Sequence, residues 1–308
     1  MRFQSINYIN FYEEKRYVGV RIASEEIMVI SERREESEIS CFQLNVSGKI
    51  IDFRLSDEYN LPRAYFHPSN KEYVFQAIHN YLLDFFGDTV EYAWRATYPE
   101  NPIPHLPNLS LWFFYSTGRS GVRTMETLEK FFASSPIMKM ICIRWSRPEL
   151  ISPESKFYQA ESHYSRIKHS HNAHAFLKHF QGRQATLFFH EFNVLEFVEF
   201  INRWRSGEAF QKLEYLKIKL MSNFHHLIEV LNANGVKRID RTKKPPIHTV
   251  PHLSQSIRVL QRNTDPIISH RYIVRETDNR VASVSVRGDM FCFGVWKETE
   301  EEFLRMVE

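Results

Sequence analysis

The sequence predicts an α/β protein: an irregular leucine-rich-repeat-like solenoid or an open curved sheet backed by helices, with β-rich N- and C-terminal parts. Three observations lead there. Period-two alternation of apolar and polar residues dominates both ends of the chain. Segments with apolar residues at helical spacing alternate with short strand-like runs in between. Three of those runs carry a Leu-x-x-Leu-x-hydrophobic spacing or a near relative: Leu106 with Leu109 and Leu111, Ile137 with Met140 and Cys142, and Leu213 with Leu216 and Ile218. A leucine-rich solenoid strand needs that spacing, because its inward residues stack between neighbouring repeats. The period is not constant, so an ordinary doubly wound α/β domain stays open as the alternative.

Residues 1–66 form the β-rich N-terminal part. Met1 to Ile30 reads as a charged lead-in followed by strands, with Tyr17–Ile22 alternating and Glu26–Ile30 forming an apolar run. Glu32–Glu36 interrupts as a turn, Cys41–Val46 alternates again, and Ser47-Gly48-Lys49 turns into Ile50–Leu55. Residues 67–308 form the α/β region, continuous with the first part. There Ser69-Asn70-Lys71-Glu72 has a capping-box pattern. Val74, Ile78, Tyr81, Leu82 and Phe85 then follow on one helical stripe, and Gly87 stops that helix.

Val90–Ala96 and the stretch after Pro107 read as strands. Thr124 caps a helix with Met125, Leu128 and Phe132 on one face; Ser134-Ser135-Pro136 ends it, and Ile137–Trp145 is the next strand. Ser146–Lys168, polar with two prolines, reads as a long connection. A short helix spans Ala173–Phe180, and Ala185–His190 is strand-like. Asn193 caps a helix lined by Val194, Phe197, Val198, Ile201 and Trp204, which Gly207 closes; Trp204 continues the stripe and is expected to be buried. Leu213–Leu220 is a strand, and about Asn223–Ala233 a helix. Tyr272–Arg275, Val281–Val286 and Met290–Trp296 are strands joined at Asp278-Asn279 and Gly288-Asp289. An acidic helical tail, Glu298–Val307, follows.

Composition narrows the function classes. The chain has 308 residues, 43 % of them hydrophobic and 25 % charged, which is ordinary for a globular protein that buries a core. Its 25 phenylalanines carry no polar group and belong mostly in the interior. A net charge of +3, with both signs interleaved, is too small to argue for nucleic acid by itself. Cys41, Cys142 and Cys292 are an odd, scattered set, which fits buried thiols in a reducing compartment. The N-terminal residues carry no apolar core of signal-peptide length, and no apolar run reaches the length of a membrane span. The expected location is intracellular, in the cytoplasm or nucleus, with no membrane partner.

Several constellations can be tested for chemistry. His163, His169, His171, His174 and His179 crowd one stretch, and His171 with His174 could share a helix face as metal ligands. No cysteine lies among them and no H-E-x-x-H occurs, so a solvated polar segment is the expectation. Gly118-Arg119-Ser120-Gly121 precedes a helix, as an anion-holding loop would, but Val122-Arg123-Thr124 follows where Gly-Lys-Ser/Thr is needed. Lys237, Arg238, Arg241, Lys243 and Lys244 form a basic segment able to touch phosphates, without interleaved aromatics. No nucleophile motif or dinucleotide fingerprint occurs. The sequence therefore predicts no catalytic residue, no cofactor and no metal, and it singles out no binding residue.

Phe197-Val198-Glu199-Phe200-Ile201-Asn202-Arg203-Trp204-Arg205-Ser206-Gly207, followed by Phe210–Leu216, resembles the type 2 F-box-associated domain of nematodes. Members have a helix ending in Trp and Gly before a Leu-Glu-x-Leu strand. Tyr272–Arg275, Arg280–Val284 and Phe291–Trp296 resemble the family's closing hairpin and aromatic strand, and Leu106–Leu111 with Met125–Phe132 resembles an earlier unit. The likeness covers about Leu106 to Trp296. It implies a non-enzymatic, protein-binding module akin to the substrate-recognition region of F-box ubiquitin-ligase receptors, with a protein substrate as partner. Family members carry a helical F-box that docks on the Skp adaptor. Met1–Ile30 does not read as one, so direct adaptor binding is not expected. The alternative function is nucleic-acid association through residues 237–244.

Overall fold

The computed structural model describes residues 8–15, 17–22, 25–33, 41–55, 61–116, 124–190, 192–221, 235–253 and 263–308. The chain is mixed α/β and divides into two compact units, Met1–Phe114 and Tyr115–Glu308. No barrel closes among the described strands.

The first unit is a mixed sheet with one long helix. Its strands are β1 (Tyr8–Glu13), β2 (Tyr17–Ile22), β3 (Glu25–Glu32), β4 (Phe42–Val46), β5 (Lys49–Leu55), β6 (Pro62–Phe66), β7 (Glu91–Ala96) and β8 (Leu109–Ser116), which runs to the boundary. The order is β8-β7-β1-β2-β3-β6-β5-β4. Strand β1 lies antiparallel to β2 and parallel to β7. Helix α1 (Lys71–Phe86) buries Val74, Phe75, Ile78 and Leu82. Phe75 meets Trp94 edge-on at 5.3 Å, and Trp94 stacks with Phe11 at 6.0 Å.

Three expectations for this unit need correction. The lead-in contains β1, where five consecutive residues from Ile9 to Glu13 are buried; a strand covered on both faces shows no alternation to read. Tyr81 and Phe85 do not join the buried stripe of α1 but are 53 % and 71 % exposed. Ser69 does not cap α1, because Pro68–Asn70 forms a separate 3-10 turn in which the Asn70 Oδ1 accepts from the His67 amide at 2.7 Å. The Glu72 carboxylate accepts instead from the His105 amide at 2.5 Å. The turn at Ser47-Gly48 stands as read, with both residues at positive φ, as a two-residue hairpin loop requires.

The second unit holds β9 (Met140–Trp145), β10 (Ser162–Ile167), β11 (Gln184–Phe189), β12 (Tyr215–Leu220), β13 (Lys237–Arg238), β16 (Arg271–Val274), β17 (Arg280–Arg287) and β18 (Met290–Thr299), in the order β13-β16-β17-β18-β12-β11-β10-β9. A separate small pair joins β14 (Ile247–His248) to β15 (Ile267–Ile268). β9 to β12 are parallel and in sequence order, with Met140, Ser162, Gln184 and Tyr215 side by side. Successive residues of that row lie 22, 22 and 31 positions apart in the chain.

The helices of this unit are α2 (Met125–Ser134), α3 (Ser170–His179), α4 (Val194–Arg205) and α5 (Glu300–Arg305). Thr124 caps α2 by accepting the Thr127 amide at 3.3 Å, and Asn193 caps α4 by accepting the Leu195 amide at 3.0 Å, as their sequence positions predict. From α4, Phe197, Phe200 and Trp204 pack on Phe291 and Phe293 of β18 at 4.8–5.2 Å. Trp204 is fully buried. α5 packs on the opposite side of β18, where Phe303 meets Trp296 at 5.5 Å.

Ser146–Lys168 is not one long connection. It contains β10 and a 3-10 turn at Lys156–Gln159 that buries Phe157 and Tyr158. β10 alternates perfectly, but two of its three inward residues are His163 and Ser165, so the pattern reads as polar. The leucine spacing is obeyed unevenly: Leu213, Leu216 and Ile218 are buried, Leu106 and Leu109 are half-buried, and Ile137 is 55 % exposed. The helix expected over Asn223–Ala233 lies outside the described residues.

Candidate recognition surfaces

Each strand of the β9–β12 ladder turns one row of side chains toward the helices and the other away. Ile141, Ile143, Leu187, Phe189, Leu216 and Ile218 fill the first. The second row is different in kind. At one register level Arg144, Arg166, Phe188, Lys219 and Met290 stand side by side across β9, β10, β11, β12 and β18. At the next level Cys142, Tyr164, Thr186, Lys217 and Cys292 do the same. Arg144, Tyr164 and Arg166 are exposed. Tyr164 and Phe188 face each other at 5.3 Å, and the Arg166 guanidinium lies 5.6 Å from the Phe188 ring. Lys217 pairs with Asp265 at 2.5 Å and Lys219 with Asp289 at 3.4 Å, which tempers the positive charge at that end. Burial pushes the Cys292 thiol up to about 11, so it remains a neutral thiol at physiological pH.

A second feature lies where β13, β16 and β17 end. Arg238, Arg241, Arg271 and Arg287, with His270 and Ser269, line an open cavity of about 430 Å³. Arg238 and Arg271 are direct cross-strand partners, a like-charge pairing that sheets avoid because it is destabilising. Burial, with Arg238 and Arg241 beside it, holds the Arg271 guanidinium below its ordinary value. The Arg271 Nε is buried with no hydrogen-bond partner among the described residues. Arg287 donates to the Ile268 carbonyl at 3.1 Å, and the His270 Nε2 lies 3.0 Å from the Lys243 carbonyl.

The basic segment named from sequence is thus divided. Arg238 and Arg241 enter this cavity, whereas Lys237 binds Glu300 at 2.8 Å and Lys244 lies 3.6 Å from Glu308. The histidine stretch is divided as well. His163 is buried, with Nε2 2.9 Å from the Phe157 carbonyl, and burial lowers it to about 3. His169 and His171 reach the carbonyls of Ser146 and Pro148, and His174 lies 3.7 Å from Glu196. Among the described residues no group of three metal-ligating side chains converges. Gly118-Arg119-Ser120-Gly121 lies outside the described residues.

Sequence reading missed the exposed row because Arg144, Tyr164, Arg166 and Phe188 come from three strands, one of them unrecognised. It missed Arg271 and Arg287 because the cavity joins three segments separated in the chain, 238–241, 268–271 and 285–287. No helix among the described residues is long and apolar enough to cross a membrane. No protein-family model, curated protein or solved structure matches the chain.

Proposed function

We propose that this chain is a non-catalytic protein-recognition module, similar to the substrate-recognition region of F-box ubiquitin-ligase receptors, and that it holds an acidic segment of its partner on the outward face of β9–β12. The observation carrying this reading is the row of exposed Arg144 and Arg166 and half-buried Phe188, with exposed Tyr164 beside it. Arg, Tyr and Phe are enriched in protein interfaces, where the rings bring large contact area with little entropy to lose and the guanidinium brings directed charge-assisted hydrogen bonds. The leucine-rich-repeat-like reading of β9–β12 rests on the two 22-residue steps, which fall within the 20–29 residues of such repeats. The non-catalytic reading is supported by how the buried histidines are used. His79, His163 and His248 each place a ring nitrogen 2.8–3.0 Å from a backbone carbonyl, and burial disfavours their protonation.

The test is binding of the purified chain to arrays of acidic, neutral and basic peptides. Acidic peptides are expected to bind, with at least a tenfold loss in Arg166→Glu/Tyr164→Ala at unchanged melting temperature. Absence of binding, or binding indifferent to that variant, overturns the reading. A second reading has its own observation: Tyr164 and Phe188 alternate with basic residues, as in platforms where single-stranded nucleic acid stacks its bases. Binding of a single-stranded RNA that weakens steeply with salt and is lost in the same variant selects it.

A further inference from the structure

We infer that the arginine-lined cavity at the ends of β13, β16 and β17 is a site for a phosphomonoester, and that its occupant is a phosphorylated side chain of a protein partner. The site is separate from the outward face of β9–β12 and goes beyond the reading above.

Four arginines surround one cavity, and among the described residues no carboxylate lines it. The nearest acidic groups in sequence are otherwise engaged: Asp240 accepts both the amide and the hydroxyl of Thr242, at 2.9 and 2.8 Å, and Asp289 pairs with Lys219 at 3.4 Å. Two of the arginines, Arg238 and Arg271, face each other directly across adjacent strands. Such an arrangement lowers the stability of the empty protein, and a doubly charged anion between the guanidiniums reverses that repulsion.

The chemistry of the walls selects among anions. A planar carboxylate satisfies one guanidinium fork, whereas the three terminal oxygens of a phosphomonoester can accept from several at once. A nucleic-acid phosphate carries a single charge and comes with bases that need stacking partners. Among the described residues His270 is the one ring that lines the cavity, beside Ile239, Ile268, Val286, Ser269 and Ser285. The volume of about 430 Å³ exceeds what a phosphate group fills, leaving room for the residues flanking a phosphorylated side chain.

The experiment uses the full chain and four probes: a degenerate phosphoserine peptide pool, its unphosphorylated counterpart, inorganic phosphate and a single-stranded RNA. The expected result is saturable binding of the phosphoserine pool, at least tenfold tighter than the unphosphorylated pool. That binding should fall at least tenfold in Arg271→Gln and in Arg241→Gln, while Arg271→Gln melts no lower than the parent in the absence of ligand. Melting of the parent chain, but not of Arg271→Gln, should rise with the phosphopeptide. Equal affinity for inorganic phosphate overturns the assignment to a protein partner. RNA binding abolished by Arg271→Gln, with no preference for the phosphorylated pool, overturns it in favour of nucleic acid. No binding of any probe overturns the site itself. The row at Tyr164 and Arg166 is untouched by these variants, so its peptide binding persists whichever result is obtained.

Discussion

The Arg275 guanidinium lies 5.3 Å from the centre of the Trp204 ring and fastens the end of α4 to the β16–β17 turn. The junction is continued by the backbone, where the Glu276 amide donates to the Arg205 carbonyl at 2.8 Å. Gly207 completes it: its φ of +74° suits glycine, and a Cβ there would lie 2.5 Å from the Thr277 methyl. The Trp and Gly that close α4 and the hairpin that follows β16 thus form one joint.

Trp204 is fully buried between α4 and Phe293. Trp204→Ala removes its contacts on both sides and is expected to cost about 3–5 kcal/mol. Chemical denaturation followed at two wavelengths measures the loss; a change below 1 kcal/mol contradicts the packing described.

Arg275 is 3 % exposed and held by Asp278 through two bonds of 2.8 and 2.6 Å. The arginine in turn holds the Asp278 carboxyl below the usual carboxylate range. Asp278→Ala leaves the buried Arg275 charge without its partner, and because Asp278 is itself 39 % exposed, so that water can take its place, the expected cost is about 1–2 kcal/mol. Arg275→Met with Asp278→Ala should recover part of that loss, and a double-mutant cycle measures how much.

Acid should destabilise the second unit through His163. Burial lowers this histidine from 6.5 to about 3, so the folded form holds it neutral while the unfolded chain binds a proton. The contribution is therefore complete above pH 6.5 and is lost as pH falls from there toward 3, at about 1.4 kcal/mol per pH unit. Burial lowers His248 in the same direction. Melting temperature measured between pH 7.5 and 5 should fall with acid, and His163→Gln should flatten that slope whatever it does at pH 7.5.

The His248 ring covers Gly294 so closely that a Cβ at that position would lie 2.5 Å from Nδ1. His248 cannot retreat without losing its contact with the Val295 carbonyl at 3.0 Å. Gly294→Ala is expected to cost about 1–3 kcal/mol from overpacking alone. Calorimetry on the variant checks this, and His248→Ala in the same background should relieve most of the clash.

The histidine stretch should carry no structural ion. His163, His169 and His171 reach three separate backbone carbonyls, and His174 lies 3.7 Å from the Glu196 carboxylate. Chelator treatment is expected to leave the melting temperature unchanged; a large drop restored by zinc contradicts this, because a structural ion adds its binding energy to folding.

Local pattern alone determined much of this protein. The strands β2, β4, β5, β11, β12 and β16 to β18 were legible from apolar pattern, and α2 and α4 from helical spacing with a capping side chain; of these strands β5, β11 and β12 alternate between buried and less buried residues. Tertiary structure decided the rest. β1 shows no alternation because both its faces are covered, and β10 hides its inward side because His163 and Ser165 find partners there. Tyr81 and Phe85 share the helical spacing of Val74 and Ile78 and are nevertheless exposed, since spacing does not state how wide a stripe the sheet can cover. The candidate surfaces lay beyond reach of the sequence for the same reason. Arg144, Arg166 and Phe188 become neighbours only through parallel register, and Arg238 meets Arg271 only across an antiparallel pair, because chain separation carries no information about which strands lie side by side.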